Sequence, residues 1–123
     1  MKDFPAIAGD LRDGMKRYAE AAPETMQAFR GLMGATTADG ALPARVKELI
    51  ALAIGISVRC DGCIAHHVRA VRKAGASREE VVEAIGVAIM MGGGPSSVYG
   101  VEALNAFDQF EDRAAAEGAS AGP

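Results

Sequence analysis

Apolar residues recur along this chain mostly at helical spacing, and no stretch sustains the alternation expected of a strand. The pattern predicts about six helices. Asp10–Ala21 carries Leu11, Met15 and Tyr18, an amphipathic stripe whose start near Phe4-Pro5 the pattern does not define. Pro23 suits the first turn of a second helix with Met26, Phe29 and Met33 on its apolar side, ending at Thr36–Gly40. Pro43 opens a third. From Val46 it is apolar nearly all round, with Leu49, Ile50, Leu52, Ala53, Ile54, Ile56 and Val58. Such a helix belongs in the centre of a domain or under a subunit interface. A fourth runs from Gly62 to Lys73, with Arg69, Arg72 and Lys73 near its C-terminal end and Gly75 as its stop. Ser77-Arg78-Glu79-Glu80 is a capping box for a fifth, with Val81, Val82, Ile85, Ala88 and Ile89 as its apolar face. Gly92–Gly94 ends it, and Pro95 opens a sixth that reaches about Ala116. The small, polar Glu117–Pro123 reads as a frayed tail.

The expectation is therefore an all-α, single compact domain over residues 1–123. Its 123 residues suit one domain, and half of them are hydrophobic, a globular composition. Aromatics are only 5%, so Ala, Val, Ile, Leu and Met must fill the core; the methionines, Met90-Met91 included, read as core fillers. A net charge of −3 without a basic cluster argues against nucleic-acid binding and against docking on anionic membranes. The longest apolar run, Leu49–Val58, is about half of a roughly 20-residue membrane span. With no targeting segment visible at Met1–Asp10, the expected compartment is the cytoplasm. Two cysteines there point to redox or metal chemistry before a structural bridge.

The chemistry concentrates in Cys60-Asp61-Gly62-Cys63-Ile64-Ala65-His66-His67. At roughly 100° per residue, Cys60, Cys63 and His67 share one helical face and His66 points away. Free N–H groups at a helix start stabilise a thiolate, and by that argument Cys60, nearer the start, is the more acidic thiol. A thiolate with a resolving partner suits reversible disulfide chemistry, and cysteines at i and i+3 can close such a bond with little backbone change. A c-type haem site fails because Ile64 follows the second cysteine, and a thioredoxin fold fails for want of βαβ units. A zinc site on the cysteines and histidines, and two incidental core cysteines, remain as alternatives.

Glu48 stands at the start of the apolar third helix. It is either one more charge on a solvated face beside Arg45 and Lys47, or a semi-buried base that activates a thiol through His67. Antiparallel folding of the third and fourth helices would bring Glu48 to His67 and hold the imidazole in one tautomer. His66 reads as a surface or interface residue. Gly92–Pro95 lacks the spaced glycines and the lysine of a nucleotide loop and reads as a tight turn with close helix packing.

Glu48, eleven intervening residues, then Cys60-x-x-Cys63-x-x-x-His67 resembles the alkylhydroperoxidase D-like, or carboxymuconolactone decarboxylase, family. Gly75–Glu80 and Met91–Pro95 look like it too, and the resemblance covers roughly Pro43 to Phe110. It implies an all-α fold and an obligate homo-oligomer, a hexamer in preference to a trimer. It also implies that Cys63 attacks a hydroperoxide, that Cys60 resolves the sulfenic acid as a disulfide, and that Glu48 and His67 relay protons. The family's best-known peroxidases carry a further His where this chain has Gly62, and the decarboxylases proper lack the cysteine pair.

The expected function is thus a thiol-dependent peroxidase or disulfide oxidoreductase. Its partners would be a small hydroperoxide and a dithiol reductant or a thioredoxin- or lipoyl-type protein. No cofactor, metal, nucleic acid or membrane is expected. The alternatives are a carboxymuconolactone decarboxylase-type lyase and a non-enzymatic redox-sensing or zinc-binding protein.

Overall fold

A computed structural model describes residues 1–121, which form six α-helices: α1 (Phe4–Ala21), α2 (Pro23–Thr37), α3 (Ala44–Ser57), α4 (Asp61–Lys73), α5 (Arg78–Gly92) and α6 (Gly94–Ala121). There is no strand among the described residues. α3 and α4 form a hairpin; α5 packs on α3, and α6 lies against α5, α4 and α3. α1 covers α4 and α6, while α2 touches only α1 and α3, among the described residues. No helix is long and apolar enough to cross a membrane, among the described residues.

The core gathers where these helices converge. Phe4, Leu52, Ile56, Ile64, Val68, Val71 and Val81 are fully buried, joined by Ala103, Ala106 and Phe107 of α6. Each large apolar side chain buried in this way stabilises the fold by about 1.5–3 kcal/mol before the entropy of ordering it is counted. The alanines let α6 lie close, and at Gly100 an added Cβ would come within 2.7 Å of Ile85.

The local signals explain the joints. The Ser77 side chain accepts from the Glu80 N–H while the Glu80 carboxylate accepts from the Ser77 N–H, so the capping box is formed. α4 ends on Gly75 at φ +87°, with Gly75 N–H bonded to the Arg72 carbonyl and Ala76 N–H to that of Val71, a Schellman motif. Gly93, at φ +71°, makes the tight α5–α6 turn, and a Cβ at Gly92 would collide with the buried Ser96.

The structure departs from the pattern in several places. α1 begins at Phe4, because Asp3 caps it by accepting from the Ala6 N–H at 3.1 Å. Its core face is Phe4 and Ala8; Met15 and Tyr18 are exposed. On α2 only Met26 is buried, and Phe29 is half exposed, since α2 lies at the edge where no other helix covers that face. α4 starts one residue early at Asp61, and α6 starts at Gly94. α6 also runs on to Ala121, past the end near Ala116 that the pattern gives; residues 122 and 123 lie outside the described residues. Met90 and Met91 are 71% and 75% exposed, so they are surface residues and not core fillers. α3 is buried on one side only: Leu52 and Ile56 face the core, while Ile50, Ile54 and Val58 form an exposed stripe at four-residue spacing.

Candidate functional site

The α3–α4 hairpin assembles the residues singled out in the sequence. α3 ends in a second Schellman motif, with Arg59 N–H bonded to the Ile56 carbonyl and Cys60 N–H to that of Gly55. The left-handed position is filled by Arg59 at φ +59°, where glycine is the usual occupant. That turn delivers Cys60 as the residue capping α4, in extended conformation. Cys60 is therefore not within the helix itself, and its sulfur accepts from the Cys63 N–H at 3.1 Å. Cys60 and Cys63 are joined by a disulfide, with their Cα atoms 5.1 Å apart. An N–H donor aimed at the Cys60 sulfur is the contact that favours a thiolate there once the bond is opened.

Two glycines make room for this turn. A Cβ at Gly55 would lie 3.2 Å from that of Cys63, so α3 approaches α4 closely behind the cysteine. A Cβ at Gly62 would sit 3.4 Å from the Leu11 side chain of α1. A glycine in the last turn of an apolar helix is the sequence signal that could have marked the first approach.

One turn beyond Cys63 on α4, His67 Nδ1 lies 2.7 Å from Glu48 Oε2. The side chains are only 22% and 13% exposed, so the carboxylate is not on a solvated face. Its two basic neighbours are engaged elsewhere: Lys47 donates to the Ala38 carbonyl and Arg45 pairs with Glu80. With Glu48 ionised, Nδ1 must carry the proton, and Nε2 is left free to accept one. His66 is exposed, and its ring meets that of His67 edge-on at 4.8 Å between centroids. Although the residue is exposed as a whole, partial desolvation of its imidazole, and then the neighbouring His67, hold His66 below the usual histidine pKa.

The sequence reading missed the groups that face Asp61, between the cysteines. Lys2 Nζ lies 3.0 Å from Asp61 Oδ1 and 2.9 Å from Glu102 Oε2 of α6. Nothing in the periodicity marks a lysine at the second position as a neighbour of the cysteine turn. Two surface hollows, one beside Lys2, Gln109 and Arg113 and one beside Arg78 and Val82, include none of Cys60, Cys63, Glu48 or His67. No group of three or more His, Cys, Asp or Glu side chains is arranged to hold a metal ion, among the described residues.

The sequence pattern of the carboxymuconolactone decarboxylase family matches residues 23–106. The chain belongs to that family. An uncharacterised protein of Cupriavidus necator is 45% identical over 89 residues, 72% of this chain and 79% of its own length. An uncharacterised protein of the cox locus of Paracoccus denitrificans is 39% identical over 84 residues, 68% of this chain and 76% of its own. The apo form of a Legionella pneumophila family protein superimposes with a TM-score of 0.87 at 42% identity, covering 89% of this chain and 98% of that one. A Thermotoga maritima family protein, for which a part in an antioxidative response has been suggested, gives 0.77 at 26% identity, over 85% and 90% of the two chains. The match at 42% identity over nearly the whole of the Legionella chain carries the family's fold to this one at the level of helix order and packing.

Proposed function

We propose that this family member is a thiol-dependent peroxidase or disulfide oxidoreductase acting on small hydroperoxides through Cys60 and Cys63. The observation that carries the reading is the Glu48–His67 hydrogen bond of 2.7 Å, one helical turn from a cysteine pair already joined as a disulfide. A merely structural disulfide needs no oriented imidazole beside it. The role suggested for the Thermotoga neighbour points the same way.

In the cycle, His67 Nε2 takes the Cys63 proton while Glu48 holds the imidazole through Nδ1. The Cys63 thiolate attacks the terminal oxygen of the hydroperoxide. An S–O bond forms, the O–O bond breaks, and the departing alkoxide takes the Cys60 thiol proton to leave as an alcohol. The Cys60 thiolate, favoured by the Cys63 N–H, then attacks the Cys63 sulfenic acid, forming the S–S bond and breaking the S–O bond, and the departing hydroxide takes the proton held on His67 to leave as water. A dithiol, small or carried on a thioredoxin- or lipoyl-type protein, returns two electrons and two protons to reopen the pair. The working form is a homo-oligomer, a hexamer in preference to a trimer. The exposed apolar residues of α3, with Val87, Met90 and Met91 of α5, support it.

Peroxide consumption with a dithiol reductant tests the reading. Wild type should turn over, Cys63→Ser should fall to the background rate, and mildly oxidised wild type should lose two hydrogens by mass spectrometry. Turnover by Cys63→Ser at the wild-type rate, or none by wild type with any of several small hydroperoxides, would overturn it.

A further inference from the structure

Lys2 is held in place through both its backbone and its side chain. Its carbonyl accepts from Gln109 Nε2 at 2.8 Å, and Gln109 Oε1 accepts from the Phe4 N–H at 2.9 Å. Phe4 is fully buried, and Asp3 caps α1. The side chain is fixed as well: Nζ bridges Asp61 and Glu102 and lies 5.1 Å from the centre of the Tyr99 ring. Glu102 first, and Asp61 second, hold the ammonium above the usual lysine pKa, so it stays charged at any pH at which the protein works.

Its partner Asp61 is the residue next to Cys60 and two before Cys63. A carboxylate at that point suits the start of α4, but it opposes a negative charge on either sulfur. The charged or titratable groups around the cysteine turn are Arg59 just before Cys60, Asp61 itself, Lys2 and Glu102 on one side, and Glu48 with His67 and His66 along the hairpin. Of Lys2 and Arg59, Lys2 is the one whose side chain is held by hydrogen bonds to carboxylates.

We infer that Lys2 is a positioning residue for the redox pair: seated on Asp61, its ammonium offsets the carboxylate beside Cys60 and Cys63 and biases the pair toward its reduced, thiolate form. The inference rests on reading Cys60–Cys63 as a redox pair, but it needs no peroxide. In exchange with dithiothreitol, the protein S–S bond breaks, that of cyclic oxidised dithiothreitol forms, and two electrons and two protons pass to the protein. A nearby cation stabilises whatever fraction of the reduced protein is thiolate, and so raises the reduced share at equilibrium. The Lys2 and Asp61 side chains are 37% and 40% exposed, which keeps the effect modest.

The test equilibrates the full-length protein with graded mixtures of reduced and oxidised dithiothreitol at low salt. Free thiols are then trapped by alkylation and counted by mass spectrometry. Lys2→Met should shift the equilibrium about two- to five-fold toward the disulfide, roughly 9–21 mV at 29.6 mV per tenfold. Lys2→Arg, which keeps the charge, should stay at the wild-type position. Asp61→Asn should move the other way, and the gap between wild type and Lys2→Met should shrink in about 1 M salt, where charges are screened within about 3 Å. An unshifted Lys2→Met, a Lys2→Arg that shifts as far as Lys2→Met, or an Asp61→Asn that moves in the same direction would each overturn the inference. Should Lys2→Met fail to fold, the direction of Asp61→Asn still decides. Absence of peroxide turnover would leave this result standing, whereas a pair that dithiothreitol cannot open would remove both readings.

Discussion

Glu48 and His67 are 19 residues apart in sequence and 2.7 Å apart across the α3–α4 hairpin. Neither residue alone distinguishes a catalytic relay from a satisfied buried pair; their joint relation to the cysteines does. If they act as one unit, Glu48→Gln and His67→Ala should each lower peroxide turnover by about 10²–10⁴-fold, the usual loss on removing a general base. The double variant should then be little worse than the poorer single one. Full turnover in both variants would show that Glu48 is only a helix residue, and losses that simply multiply would show that the two do not act as one unit. The sequence spacing did forecast this contact, because an apolar helix followed by a short turn must fold back to bury its face. The engagement of Lys47 with the Ala38 carbonyl and of Arg45 with Glu80 was not forecast, since it depends on where loops and neighbouring helices end.

At the scale of elements, the same Schellman motif closes both α3 and α4, once with Arg59 and once with Gly75 in the left-handed position. An L-residue costs about 1–2 kcal/mol there, and glycine is free of that cost but loses more freedom on folding. Arg59→Gly should therefore raise stability by about 0.5–1 kcal/mol, and Gly75→Ala should lower it by about 1 kcal/mol. Urea unfolding at one fixed protein concentration reads both; equal signs would show that backbone conformation is not what separates the two sites. The glycine signal at residue 75 made the end of α4 legible. The end of α3 carries no such signal, because an arginine was placed where only hydrogen bonding and packing of the hairpin could force a positive φ.

For the whole molecule, the surface is the informative part. Ile50 and Ile54 on α3 and Val58 at its C-terminal cap make one exposed stripe, and Val98 and Val101 on α6 are 58% and 60% exposed. A monomer of this size seldom leaves such a set in water. Light scattering should report a multiple of 12.7 kDa, sixfold for the hexamer, and a monomer at micromolar concentration would refute the assembly. Ile54→Asp should release smaller particles with unchanged helical circular dichroism, because its side chain lies outside the core of the single chain.

The helical periodicity, the capping box at Ser77, the glycine stop at Gly75 and the spacing of Glu48, Cys60, Cys63 and His67 are local or short-range features. Backbone sterics, capping hydrogen bonds and the burial of one apolar face act over a few residues, and so the sequence by itself determined the six helices and the candidate residues. It left open which apolar faces are buried. α3 reads as apolar all round, yet only the packing of α4, α5 and α6 decides that Leu52 and Ile56 are inside and Ile54 is out. It left open the role of Lys2, which meets Asp61 and Glu102 across separations of 59 and 100 residues. Contacts at that range follow from how whole helices pack, and no periodicity within one helix encodes them.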